Sequence, residues 1–534
     1  MDGKKCFVLL LAGSLSLAAF AKERPALLKP DDYRHYVEYF NRMEDENIVQ
    51  AIPNAEAWAW MEANIPLFTC PQDNFEEMWY FRWWSLRKGI RLTPQGYVIN
   101  EFLVPRSYAD RYNMIACAIG HHINEARWLR DGQYIDQYLS VWYRGDDGQP
   151  LGRIHRFSSW TPYALYQRYL VNRDAAWILD LLPDLDRDYR YWEDAQRWDN
   201  GLYWQGDVQD GMEESISGGR KIRNARPTIN SYMYGNAVAL SKLFELQASV
   251  AVGEATRTEA LEQAESYRER ALRLRELIQG ELWNPMQRFY ETRRVKDGQL
   301  ADVREAIGYM PWYVNLPDGR TVDPTQATPD STDYEVAWKQ VMDEKGFLAP
   351  YGLTTAERRH PAFRTHGTGQ CEWDGAVWPF ATSQTLTAMA NLLNNYRQDY
   401  VTANDYFRLM ELYVESQYKR GRPYIGEYLD ETTGYWLKGD QERSRYYNHS
   451  TFADLVVTGL MGLRPREDDL IEVNPLVPEE TWDWYCLDGV KYNGKILTIL
   501  WDKDGSHFRK GAGFQVWVNG RKALVQAHPG HFVF

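Results

Sequence analysis

The chain is poor in cysteine, in basic charge and in long apolar runs. Five cysteines stand among 534 residues, and Cys70, Cys117, Cys371 and Cys486 are scattered with no CxxC spacing. That argues against a metal ribbon and against a disulfide framework, and leaves buried free thiols. The net charge is −13. With no basic stripe to meet phosphates or uronates, neither nucleic acid nor a strongly acidic polymer is an expected partner. Beyond the first residues no stretch approaches a membrane span. No fixed-period repeat of the solenoid kind is present.

The one apolar run is Cys6 to Phe20, preceded by Lys4-Lys5 and followed by Ala19-Phe20-Ala21, a small-x-small cleavage pattern. Residues 1–21 are expected to be a secretory signal peptide, too short for an anchor, so the protein is expected to be exported, to the periplasm or outside the cell. What remains exceeds one ordinary compact core, so at least two domains or one large toroid are expected.

Aromatic residues are abundant: 22 Trp and 36 Tyr. A large helical core absorbs most of them, but Trp and Tyr also stack on sugar rings. Two short helices, Asp31 to Glu44 and Ala55 to Ile65, fall in a helical extension over 22–72. Amphipathic segments then follow in pairs: Asn74 to Gly89, a helix pair over Asp110 to Trp142, Phe157 to Val171 with Ala175 to Ala195, and Thr228 to Leu246 with Thr256 to Leu282. Tyr334 to Lys345, Phe380 to Tyr396, Ala403 to Lys419 and His449 to Gly462 complete the series, while 291–329 reads as irregular. Roughly a dozen helices joined alternately by short turns and long loops predict a mainly α fold, an (α/α)6 toroid over 73–465. From 466 to 534 short alternating segments punctuated by Asn-Gly and Asp-Gly predict a small C-terminal β-sandwich domain.

Chemistry is concentrated in three loops that precede core helices. The first, Gly206-Asp-Val-Gln-Asp-Gly-Met-Glu-Glu-Ser-Ile-Ser-Gly-Gly219, carries Asp207, Asp210, Glu213 and Glu214 and leads into Asn230-Ser-Tyr-Met-Tyr234. The second is Cys371-Glu-Trp-Asp-Gly-Ala-Val-Trp-Pro379, and the third is Tyr424-Ile-Gly-Glu-Tyr-Leu-Asp-Glu431. Loops on one face of a toroid converge, and glycoside hydrolysis needs two carboxyl groups flanking the scissile bond. Spacing does not select the pair. His121-His122 with Glu125 lacks a third ligand, so no metal and no cofactor are expected.

These motifs resemble, in order, those of the six-hairpin glycosidases: the trehalases, the processing α-glucosidases of glycoside hydrolase family 63 and the mannosylglycerate hydrolases. Gln209-Asp-Gly-Met-Glu-Glu-Ser215 with Asn230-Ser-Tyr-Met-Tyr234, Asp374-Gly-Ala-Val-Trp-Pro379, Gly426-Glu-Tyr-Leu-Asp-Glu-Thr-Thr-Gly434 and Tyr446-Tyr-Asn-His-Ser-Thr-Phe452 carry the likeness. It implies Glu213 as general acid, where the family has Asp, and Glu427 as the base that activates water. Asp210 is the alternative acid. It further implies inversion, with carboxyl groups about 6.5–9.5 Å apart. The acid is expected to have a raised pKa, with Glu214 and Asp210 supplying the like charge.

Trp378 is the expected sugar platform. Asp374, Asn230, Tyr232, Arg82, Trp83 and His449 are candidate substrate contacts, although Asn230 and Tyr232 equally suit a cap and a core ring, and Arg82 and Trp83 suit the core. The leading expectation is an exported, exo-acting, inverting glycoside hydrolase of oligosaccharides. The competing ones are a polysaccharide lyase using Tyr447-Asn448-His449 and a non-catalytic glycan-binding protein.

Overall fold

The computed structural model describes residues 27–322, 332–365 and 371–534. The expected signal peptide lies outside the described residues. At the N-terminal end, α1 (Arg34–Arg42) and α2 (Ala57–Asn64) pack on the first long helix, α3 (Asp73–Gly89). This cover explains why α3, with Trp79, Trp83 and Trp84 all buried, has no solvent face from Met78 onward.

Hairpins follow in the order outer helix, long loop, inner helix and then a short turn, except that residues 314–333 separate the fourth inner helix from the next outer one. The outer members are α3, α5 (Gln133–Arg144), α7 (Ala175–Gln196), α9 (Glu254–Glu281), a 3-10 helix (Tyr334–Gln340) and α12 (Ala403–Ser416). The inner members are α4 (Ile119–Ala126), α6 (Thr161–Asn172), α8 (Pro227–Val250), α10 (Met310–Tyr313, with a 3-10 turn before it), α11 (Pro379–Asn395) and α13 (Ala453–Leu455, running into a π turn at Val456–Leu460). Each inner helix touches the next, and α13 touches α4, so the ring closes as an α/α toroid. α9 shows the outer logic. Ala260, Ala264, Tyr267, Ala271, Leu274 and Ile278 face inward at alternating spacings of three and four, and charged residues fill the rest.

The closure is electrostatic as well as apolar. Glu125 at the end of α4 accepts the backbone N–H groups of Phe452, Ala453 and Asp454 at 3.0, 3.0 and 2.9 Å, capping α13. Asp454 in turn receives Arg127 and Trp128, each at 2.7 Å. The apparent metal motif around Glu125 is thus a cap. His122 Nε2 lies 2.6 Å from the carbonyl of Asn448.

The β region has two antiparallel sheets. One has the order β1 (Leu67–Thr69), β4 (Trp484–Tyr492), β5 (Lys495–Asp502), β6 (Gly513–Val518), β7 (Arg521–Gln526). The other has the order β2 (Leu463–Arg464), β3 (Glu472–Val473), β8 (Phe532–Val533). Phe514 and Phe532 stack across the two sheets at 6.0 Å. Asn493-Gly494 and Asn519-Gly520 take positive φ at both positions, as two-residue hairpin turns require.

Three expectations change. The segment 22–72 is not wholly helical, since its residues Leu67–Thr69 pair with Asp488, Leu487 and Cys486 as an edge strand of the C-terminal sheet. The stretch read as irregular contains inner helix α10, whose four residues are too few for periodicity to register. The last helix starts at Ala453 rather than His449, leaving His449 on a loop.

Candidate active site

The long loops that precede the inner helices open at one end of the toroid. Loops over 90–118, 197–226, 341–378 and 417–452 therefore bring Glu101, Glu213, Cys371 and Glu427 to one place, although no local pattern relates them.

The acidic loop divides into two halves. Asp207 and Asp210 are buried and paired with the equally buried Arg226 at the start of α8, each at 2.7 Å. Thr228 donates a second hydrogen bond to Asp210, and Ser215 donates to Asp207 at 2.9 Å. Gly218 is required here, since a Cβ would lie 1.9 Å from the Asp207 carboxylate. Asp210 is thus held by the fold through its Oδ2, which weighs against the alternative that made it the acid. At Gly211, φ of 77° turns the chain away from this network, a conformation that glycine adopts without strain.

Glu213 lies on the other side of that turn. Burial, and then the negative charge of Glu427, push its carboxyl up to about 7, against the pull of Lys438 and Arg220. The like charge therefore comes from Glu427, not from Asp210 or Glu214. Glu214 is instead paired with Arg220.

Glu427 meets Lys438 at 3.2 Å and Arg443 at 3.1 Å on one oxygen. On the other, the Cys371 thiol donates at 3.4 Å. Two cations compensate this carboxylate as it enters the site. Burial and the charges of Glu213 and Glu427 push the Cys371 thiol up, so it acts as a neutral donor rather than a thiolate.

A third carboxyl, Glu101, completes the cluster. Burial and the charge of Glu427 push it up to about 8. His449 Nδ1 lies 3.3 Å from one of its oxygens, and Cys117 donates to the other at 3.5 Å. His449 is held neutral, pushed down to about 3 by burial. Its ring faces Tyr447 at 4.5 Å and Trp378 at 6.0 Å. The Tyr447-Asn448-His449 trio does not converge as a unit, because the Asn448 amide is turned to the carbonyl of Asn100 at 3.3 Å.

Trp378 lies in a ladder. Trp373 stacks on it at 4.6 Å and Tyr428 at 4.5 Å, and these two are not in ring contact with each other, so they cover opposite faces. Lys438 sits over Tyr428 at 5.0 Å. A ring covered on both faces offers no platform, which corrects the role expected for Trp378. The ladder instead fixes Lys438 against Glu427.

Other candidates are also absorbed by the fold. Asn230 exchanges hydrogen bonds of 2.8 Å with the backbone of Tyr203. The Tyr232 hydroxyl accepts from Gln384 at 2.8 Å, and its ring packs on Trp160 at 4.8 Å. Arg82 is spent on Gln417 at 2.9 Å and on Ser450 at 2.9 and 3.0 Å. Trp83 is buried edge-on to Trp79. Asp374 is paired with Arg364 of its own loop. The structure thus brings together Glu213, Glu427 and His449, commits Asp210, Asn230, Tyr232 and Trp83 to the scaffold, and ties Arg82 to Ser450 beside His449.

Sequence reasoning missed Glu101, Cys117, Cys371, Lys438 and Arg443. Glu101 left a signal: it falls in phase with the apolar Ile99 and Leu103 of an alternating segment, and a charged residue there demands a partner. Lys438 and Arg443 left none, being ordinary cations in a polar loop.

A family model described as the mannosylglycerate hydrolase MGH1-like glycoside hydrolase domain matches residues 111–450. A second, the C-terminal domain of glycosyl hydrolase family 65, matches residues 463–525. A solved structure titled "Sialidase" is 60% identical over 95% of this chain with a TM-score of 0.89, and this chain spans 45% of its length. A family 78 rhamnosidase of Bacillus sp. GL1 has the same fold at 12% identity, with a TM-score of 0.52 over 82% of this chain and 40% of that one. A family 63 mannosylglycerate hydrolase from Thermus thermophilus, in complex with glucose, is 15% identical over 70% of this chain and 97% of that one, with a TM-score of 0.49. A toroid that gathers carboxyl groups at one end, with a family match over most of its helices, makes the chain a member of the MGH1-like glycoside hydrolases.

Proposed function

We propose that this enzyme is an exported, exo-acting glycosidase that cleaves an oligosaccharide with inversion, Glu213 serving as general acid and Glu427 as general base. The observation that carries the reading is the opposed setting of two carboxyl groups within one cluster. Glu213 is held protonated toward neutrality by burial and by the charge of Glu427. Glu427 is compensated by Lys438 and Arg443. Pairs of titratable groups whose surroundings push them apart are the mark of acid and base partners.

In the reaction so read, Glu213 gives its proton to the leaving glycosidic oxygen while Glu427 takes one from the attacking water. Lys438 and Arg443 hold the Glu427 carboxylate in place, and His449, neutral and next to Glu101, faces the same space as a contact for the sugar hydroxyls. Exo action is supported by a site enclosed by loops at the toroid's end. Export is supported by the Lys4-Lys5, apolar-run and Ala19-Phe20-Ala21 pattern. The sialidase title belongs to a longer chain of which this one spans less than half, so that activity is not carried over.

The test is proton NMR of the first sugar released from a glycoside the enzyme turns over. The anomer opposite to that of the substrate is expected to appear first. Release with retained configuration removes Glu427 from the role of base acting on water.

A further inference from the structure

Beside the carboxyl cluster lies a cavity of about 730 Å³, walled by Ser107 and Tyr108, by Tyr143, by the loop 149–156 and by one face of α7. Its size is that of an ordinary ligand pocket. It adjoins the catalytic cluster through aromatic contacts. Tyr108 lines the cavity, and Phe102 touches both Tyr108 at 5.9 Å and Tyr447 at 5.5 Å. Tyr447 in turn faces His449 at 4.5 Å. The Tyr108 hydroxyl, pushed up to about 12 chiefly by burial, also feels Arg443, Glu101 and Glu427.

The chemistry of the wall is specific. Tyr191 stacks on His155 at 3.7 Å with an interplanar angle of 14°, so one ring face is covered while the residue stays 47% exposed. His155 is itself fixed by Asp188 at 2.6 Å. The other face of Tyr191 is a rigid open platform, the surface that Trp378 fails to provide.

Among the cavity's guanidinium groups, Arg153 is spent on the carbonyls of Ser107 and Ala109 at 2.8 and 2.7 Å. Arg187 is paired with Asp184. Arg156 is exposed and makes no side-chain hydrogen bond or ion pair among the described residues. An unpaired guanidinium lining the same cavity as an aromatic platform is matched by a carboxylate on a pyranose ring, which it binds through two parallel hydrogen bonds.

We infer that this cavity is a second sugar subsite, which receives the part of the substrate beyond the scissile bond and selects there a sugar bearing one carboxylate, held by Arg156 with its ring on Tyr191. The inference rests on the glycosidase reading for its place in the substrate, but not for the binding itself. A single carboxylate is the right scale: one arginine meets it, whereas a long polyanion is repelled by a chain of net charge −13.

The test uses the Glu213→Gln protein, so that nothing is turned over, titrated calorimetrically with aldotriouronic acid (two xyloses and one 4-O-methylglucuronate) and with neutral xylotriose. Aldotriouronic acid is expected to bind at least five-fold more tightly than xylotriose. Adding Arg156→Gln is expected to erase that difference, and Tyr191→Ala to weaken both ligands. Gly152→Trp is expected to block both, since Gly152 lines the cavity and a Cβ there meets nothing within 4 Å. Equal affinity for the two ligands, no binding of aldotriouronic acid, or unchanged binding in both Arg156→Gln and Gly152→Trp overturns the subsite. Should the wild type hydrolyse no glycoside while these affinities behave as stated, the glycosidase mechanism fails and the subsite stands.

Discussion

Asp210 and Glu213 lie three residues apart in one glycine-rich loop, and the fold treats them oppositely. Asp210 is gripped by Arg226 and Thr228, a cation and a hydroxyl that arrive with helix α8. Among the described residues Glu213 meets no such partner, and it feels the charge of Glu427. An acidic loop is thus half structure and half chemistry, divided by where the scaffold delivers a counter-charge. A carboxylate neutralised at close range holds the loop, and a carboxyl left beside another is the one free to exchange a proton.

The largest effect expected from this contrast is kinetic. Glu213→Gln is expected to lower kcat by about 10²–10⁴-fold with a melting temperature no lower than wild type at neutral pH, because positioned acid catalysis contributes about that much. Glu427→Gln is expected to fall in the same range. The contrast fails if Glu213→Gln keeps wild-type turnover.

Next in size is a stability effect. Arg226→Met leaves two buried carboxylates unpaired and is expected to cost about 3–5 kcal/mol in chemical denaturation, as breaking a buried ion pair does. Asp210→Asn, which keeps the shape, is expected to cost about 1.5–3 kcal/mol, the range of a hydrogen bond to a charged group, with turnover of the folded protein within a few-fold of wild type. A stable Asp210→Asn protein that has lost a hundred-fold in kcat returns Asp210 to the role of acid.

Much of the architecture was legible beforehand. Helix pairing, the change to β structure after the toroid and the two Asn-Gly hairpins all follow from periodicities and turn residues that act locally. The site was legible only in part. Glu213 and Glu427 were reached through the resemblance, but the choice between Asp210 and Glu213 depends on Arg226, which no spacing ties to one of them. Trp378 shows the same limit: its loop and the following Pro379 suit a platform, and only the packing of Trp373 and Tyr428 on its two faces excludes it. Inner helix α10 was missed because four residues carry no period.

Smaller effects appear on titration. If Glu213 must be protonated to act, kcat/KM is expected to fall about tenfold per pH unit above about 7, where its carboxyl ionises. A profile flat to pH 9 separates Glu213 from the proton transfer. The sign for stability is the same. Glu101 and Glu213, at about 8 and about 7 in the folded protein, bind protons more tightly there than in the unfolded chain. Their contribution is full below the ordinary carboxylate range and is lost as pH rises through 7 to 8. Denaturation midpoints are expected to drop between pH 5 and 8, and Glu101→Gln is expected to flatten that slope. An unchanged slope means that Glu101 is ionised throughout.

The short strand Leu67–Thr69 has a consequence for how the molecule is taken apart. It hydrogen-bonds to β4, more than four hundred residues later in the chain, and Asp488 beside it accepts the backbone N–H groups of Leu27 and Leu28 at 2.6 and 2.9 Å. The N-terminal end of the described chain is buckled to the β region outside the ring of hairpins. Neither the toroid nor the β region is therefore a separable module. Cutting the chain at residue 465 strips the partner from an edge strand, and starting it at residue 73 leaves β4 with a bare edge, so an expression boundary that keeps this enzyme whole has to enclose both.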